Sequence, residues 1–240
     1  MMDAIRTDRR SDLLDSLNPS DRELIESRLH DVHMASGDLI YEVGSQVESC
    51  YFPVGPSLGA FFIEMEDGMA VETILVGREG AMGGVVSSGN LPAYSRSTVV
   101  HGGIFRRIAM RDLEEIKDRS PAVNGLFCRY ADCVMAQVFQ SIACNAVHTI
   151  EQRAAKWLSA TVERIGRPDV MMTQEQLASI MGIGRSYASR VLQRFKQDGL
   201  LRTRRGGLEI LDVEGLRSRA CSCNEHVNAH FAKVMGGVYP

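Results

Sequence analysis

Between Thr173 and Ile210 the chain reads TQEQLASIMGIGRSYASRVLQRFKQDGLLRTRRGGLEI, and its polar residues are of the kinds that grip nucleic acid. An arginine fork donates two parallel hydrogen bonds to guanine O6 and N7, and a serine hydroxyl bonds to several base edges or to phosphate. Arg185, Ser186, Ser189 and Arg190 share the polar side of one short helical period, so they are expected to read bases. Thr173, Tyr187, Arg194, Lys196, Arg204 and Arg205 are placed to meet backbone phosphate. No nucleophile elbow, phosphate loop or zinc-protease motif is present, so catalysis is not expected.

These side chains need elements to hold them. Thr173 and Gln176 have capping-box spacing at the start of a helix, and Leu177, Ile180 and Met181 give it an apolar face. Gly182 follows, where a left-handed backbone costs least for glycine. Ala188, Val191, Leu192 and Phe195 then mark a second helix. Two short alternating runs flank Gly206-Gly207, a hairpin signal with three arginines near its tip (Arg202, Arg204 and Arg205). The order of helix, glycine turn, helix and basic hairpin predicts a winged helix-turn-helix that sets its second helix in the major groove.

This segment resembles the C-terminal DNA-binding domain of the CRP/FNR transcription regulators, over Thr173 to Leu216. The family's recognition helix carries an Arg-Glu-Thr-Val-x-Arg run. Here it is Arg185-Ser186-Tyr187-Ala188-Ser189-Arg190. The resemblance carries the two arginines over to Arg185 and Arg190. Ser186 replaces the glutamate, which removes a carboxylate acceptor for cytosine N4 and implies an altered operator. The resemblance implies an α+β chain: an N-terminal β jelly-roll, cyclic-nucleotide-binding-like domain (1–119), a dimerisation helix (120–146), and a winged helix-turn-helix domain with a C-terminal tail (147–240). It further implies a homodimeric regulator on a palindromic double-stranded DNA operator, with RNA polymerase and an unknown small effector as further partners. A sensor acting through protein partners, with weak DNA binding, is the alternative.

The rest of the sequence fits that order. Net charge is −3, yet 168–220 holds nine Lys/Arg against six Asp/Glu, so basic charge collects at the DNA end. Short β-prone runs (39–41, 50–52, 60–63, 71–75, 97–100 and 104–108) alternate with glycine turns, as in a roll or barrel. Asp12 to His33 instead carries a helical pattern. Ser120-Pro121 starts a long helix, on which Phe127, Tyr130, Val134 and Val138 recur as a coiled-coil-like dimer seam. The absence of a long apolar run argues against a membrane span, and the charged N-terminus lacks a signal core, so a cytoplasmic protein is expected.

In the family's cyclic-nucleotide binders a Gly-Glu-Leu stretch is followed by Arg-Ser. Here Arg96-Ser97 matches the phosphate half, Gly84 stands where the glutamate belongs, and Glu79 is out of register. Arg96, Ser97, Gly83 and Gly84 are the candidate effector pocket, and a cyclic nucleotide is not expected as ligand. Residues 1–49 hold no cysteine, which argues against an N-terminal iron–sulfur cluster; His30, His33 and His101 read as ordinary histidines rather than haem ligands. No cofactor or metal is expected. The tail Cys221-x-Cys223-x2-His226-x3-His230 has metal-ligand residue types, but its cramped spacing and the i,i+4 histidine pair fit a plain helix equally well.

Overall fold

The computed structural model describes residues 10–66, 68–85 and 91–236. Two short helices, α1 (Asp12–Asp15) and α2 (Pro19–Glu26), lead into seven antiparallel strands: β1 (His30–Met34), β2 (Leu39–Tyr41), β3 (Ser49–Pro53), β4 (Leu58–Glu64), β5 (Ala70–Val76), β6 (Arg96–His101) and β7 (Gly103–Ala109). They form a three-stranded sheet in the order β1-β7-β3 and a four-stranded sheet in the order β2-β6-β4-β5. Every expected strand run is present. The helical pattern stops earlier than the sequence suggests: His30–Met34 is a strand, registered from His30 against Arg107 to Met34 against Gly103. Its mostly exposed residues hid the alternation.

Helix α3 (Met110–Arg119) covers the end of the roll, and α4 (Pro121–Val147) follows with Ser120 Oγ accepting from Val123 N–H at 3.2 Å. One core fills the roll and joins it to α4 through Phe52, Phe127, Tyr130, Leu113 and Val134. Tyr130 donates to the Ala81 carbonyl at 3.3 Å. A Cβ on Gly80 would collide with the Tyr130 ring, so glycine lets that helix close on the loop. A second core holds α5 (Ile150–Ile165), β8 (Asp169–Val170), α6 (Gln174–Met181), α7 (Arg185–Gln197), the hairpin β9 (Leu201–Arg204) and β10 (Gly207–Ile210), and α8 (Val213–Arg219). Leu58, Ala60 and Leu75 of the four-stranded sheet belong to this second core, so the two halves share packing. The tail helix α9 (Cys223–Met235) returns to α4, where Val227, Phe231 and Met235 join the first core rather than the second.

No helix among the described residues is long and apolar enough to cross a membrane.

Candidate nucleic-acid interface

The helix-turn-helix forms for local reasons. Thr173 Oγ1 accepts from Gln176 N–H at 3.1 Å, and Gln176 Oε1 accepts from Thr173 N–H at 2.8 Å, so two exposed donors are satisfied reciprocally. Gly182 ends α6 at φ +64°, in the left-handed region that a side chain would strain. Leu177, Ile180 and Met181 of α6 meet Val191, Leu192 and Phe195 of α7 in one core. Burial of that stripe turns the opposite face of α7 to solvent.

Arg185, Ser186, Tyr187 and Arg190 are exposed on that face, and Ser189 is half-buried. Among the described residues Arg185 and Arg190 have no carboxylate partner. The Arg190 guanidinium lies 5.2 Å from the centre of the Tyr187 ring, which holds the fork over an aromatic platform without neutralising it. Gly184 gives α7 no side-chain cap, so its first N–H groups stay open to an anion.

The expected phosphate residues divide into two groups. Lys196 and Arg205 make no ion pair among the described residues, and Arg205 sits at the wing turn. Arg194 Nη1 is instead 2.7 Å from Glu151 Oε2 on α5, and Glu151 also faces Arg219 at 3.3 Å. Arg204 pairs with Asp169 at 3.2 Å and with Glu209, which Arg202 shares. These arginines brace α7 and the wing, a role invisible in sequence because their carboxylate partners are distant or cross-strand. Thr173 faces its own helix N-terminus as the cap.

The helix-turn-helix half is docked on the roll. Ser179 Oγ donates to the Ala70 carbonyl at 2.5 Å, while within its own half Arg153 Nη2 on α5 donates to the Met181 carbonyl at 3.0 Å. Trp157 Nε1 on α5 reaches both carboxylate oxygens of Glu72 on β5 at 2.9 Å. Burial pushes the Glu72 carboxyl up to about 7, against the Trp157 hydrogen bond and the nearby Lys156 and Arg164 charges, which favour ionisation. Arg164 on α5 forms a buried pair with Glu79, Nε to Oε1, at 2.9 Å. Glu79 is thereby engaged by α5.

The four candidate effector residues do not make one pocket. Gly83 packs against Tyr41 and Ser49, and Gly84 against Leu113 and Phe127, with Lys117 Nζ donating to the Gly84 carbonyl at 2.8 Å. Ser97 is fully buried within β6. Arg96 is 45% exposed and faces Glu42 at 3.9 Å. It lines a cavity of about 220 Å³ between roll and helix-turn-helix, with Phe62, Thr98, Met172, Gln176 and Ile180. Strand alternation explains the split, because adjacent residues of β6 point to opposite faces.

The structure places the residues expected on a dimer seam against the chain's own roll. Phe127, Tyr130 and Val134 are buried against their own roll, and Val138 packs beside them. The helix is apolar on two faces, and the inward one carried the periodicity read from sequence. The outward face presents Met135 (52% exposed), Phe139 (64%) and Ile142 (63%). Cys128, one heptad before Met135, is exposed on the same side.

Residues 152–219 match the Crp-like helix-turn-helix domain. FixK2 from Bradyrhizobium japonicum superposes with a TM-score of 0.68 at 14% identity, covering 80% of this chain and 98% of that one. The chain has the fold of the CRP/FNR transcription regulators. TTHB099, a CRP-family transcriptional regulator from Thermus thermophilus, gives a TM-score of 0.66 at 17% identity over 79% of this chain and 96% of its own. In sequence, the transcriptional regulatory protein btr of Bordetella pertussis is 21% identical over 206 residues, 81% of each chain. CRP/FNR architecture thus spans both halves: the roll and long helix as well as the matched DNA-binding domain.

Proposed function

We propose that this chain is a homodimeric, sequence-specific DNA-binding transcription regulator whose α7 helices enter successive major grooves of a palindromic operator. The observation that carries this reading is the α7 face. Arg185 and Arg190 are exposed, with no carboxylate partner among the described residues, on a helix whose other side is locked in the core, and Tyr187 pre-orients Arg190. An exposed cationic face on a rigid helix fits base readout better than it fits solvation alone.

Two copies supply the specificity that one short helix lacks, with half-sites about 34 Å apart. The Met135, Phe139 and Ile142 face of α4 is the surface on which the second copy packs. The cavity bordered by Arg96 joins the roll to α6, so a small effector there would alter how α6 docks and hence where α7 points. RNA polymerase is the downstream partner under this reading, and the protein acts in the cytoplasm without catalysing a reaction.

The test is selection of bound sequences from random duplex DNA, followed by gel shifts on the recovered site. A palindrome with one-turn half-site spacing is expected, with binding lost in Arg190→Ala. Recovery of no sequence preference by a folded dimer would count against specific readout.

A further inference from the structure

Away from the DNA-reading face, four donor side chains from separate stretches of sequence meet at one point. Cys144 lies in the last turn of α4 and His148 is its C-cap residue, an i,i+4 pair on one face. Cys221 and Cys223 flank Ser222 where α8 gives way to α9. All three cysteines are buried and His148 is half-buried. Their donor atoms lie within 4.8 Å of one another. Cys144 Sγ is 3.6 Å from Cys221 Sγ, and Cys223 Sγ is 3.4 Å from His148 Nδ1. The three cysteines form a cluster of their own, separate from both apolar cores.

We propose that Cys144, His148, Cys221 and Cys223 form a tetrahedral Cys3His site for a single Zn²⁺ ion. Bonds of about 2.3 Å to sulfur and 2.0 Å to nitrogen put tetrahedral donors about 3.8 Å apart for S···S and about 3.5 Å for S···N. The two shortest separations match those edges. In a cubane iron–sulfur cluster each donor binds a different iron, which spreads the donors beyond single-ion edges. A Cys144–Cys221 disulfide would leave Cys223 and His148 facing each other without a role.

Binding balances as Zn²⁺ plus three thiols and a neutral imidazole giving a zinc tris-thiolate and three released protons. The resulting site carries one negative charge. Lys156 Nζ on α5 lies 3.5 Å from Cys144 Sγ and donates to it, placing a positive charge beside the thiolates. His226 is exposed and His230 is bound to Asp132 at 2.7 Å, so the histidine comes from α4 and not from the tail. The ion would clamp the end of α4 to the α8–α9 junction. Phe231 stacking edge-on with Tyr130 at 6.5 Å extends that attachment along α4.

The test is metal analysis of the full-length protein purified without chelator, with Co²⁺ titration of protein stripped of metal under reducing conditions. One zinc per chain is expected. Co²⁺ should give visible bands of tetrahedral thiolate coordination that saturate at one equivalent, with about three protons released. Cys144→Ser, Cys221→Ser, Cys223→Ser and His148→Ala should each lower zinc content at least tenfold, whereas Cys128→Ser and His226→Ala should leave it unchanged. The wild-type Co²⁺ titration decides the matter even where a ligand variant fails to fold. Less than a tenth of an equivalent of zinc with no cobalt bands overturns the proposal. So does iron with acid-labile sulfide, or a Cys144–Cys221 disulfide in metal-free protein.

Discussion

The buried Glu79–Arg164 pair joins the roll to α5, and its loss should be costly in a predictable pattern. Both side chains are almost wholly buried, 4% and 3% exposed. Glu79 Oε1 also accepts from Gly77 N–H at 3.1 Å, while Arg164 Nη1 donates to the Ala160 carbonyl at 3.3 Å. Unit charges about 4 Å apart attract by about 4 kcal/mol at an effective dielectric of 20. Arg164→Met removes that attraction and leaves the Glu79 carboxylate buried without its cation, so a loss of about 3–5 kcal/mol is expected. Glu79→Gln combined with Arg164→Met removes both charges and should cost about 2 kcal/mol less than the sum of the single variants. Urea unfolding followed by fluorescence suits the measurement, because the chain's single tryptophan, Trp157, is on the same helix. An Arg164→Met loss under 1 kcal/mol, or strict additivity in the double variant, would refute the reasoning.

Other outcomes follow from the same geometry. The folded Glu72 carboxyl keeps its proton to about pH 7, whereas the unfolded chain releases it near the ordinary glutamate value of 4.5. Its contribution is therefore fully present below pH 4.5 and lost as pH rises through 7. Melting curves should show Glu72→Gln gaining stability over wild type from pH 5 to pH 8, by up to about 3 kcal/mol, and equal stability at pH 8 would sink the assignment. Ser186→Glu restores a carboxylate acceptor on the recognition face. Repeated sequence selection should show a new C·G preference at one half-site position, by about 1–3 kcal/mol, and an unchanged logo would remove Ser186 from the readout. Phe139→Asp should convert the proposed dimer to monomer in sedimentation, and mild oxidation should cross-link wild type through Cys128 but not Cys128→Ser; a dimer unaffected by Phe139→Asp places the interface elsewhere. Arg205→Ala should flatten the dependence of log affinity on log salt by about 2 per dimer, one phosphate contact per protomer. Arg194→Ala, already paired to Glu151, should change the slope less.

How much of this was legible in the sequence depends on whether the determinant is local. Thr173, Gln176 and Gly182 specify the helix-turn-helix within ten residues, through a reciprocal cap and a left-handed stop, so sequence and structure agree there. The β runs were equally readable because glycine turns bound them. The outward apolar face of α4 was not. Val134 and Met135 are neighbours, one buried on the roll and one exposed, and periodicity cannot rank two apolar stripes on one helix without knowing which partner the fold supplies. The same limit hid the charge pairs. Arg194 finds Glu151 and Arg164 finds Glu79 only after α5 has been laid against both domains. It also hid which donor side chains meet at the tail. His226 and His230 are near Cys221 and Cys223 in sequence, but α9 turns those histidines away while the end of α4 brings Cys144 and His148 in. A Cys-x3-His pair at a helix end was a visible signal. Its pairing with a Cys-x-Cys some seventy residues later is a property of the fold: α8 packs on α5 through Arg217–Glu163 and Arg219–Glu151, α9 runs back along α4, and together they bring the four donors to one point.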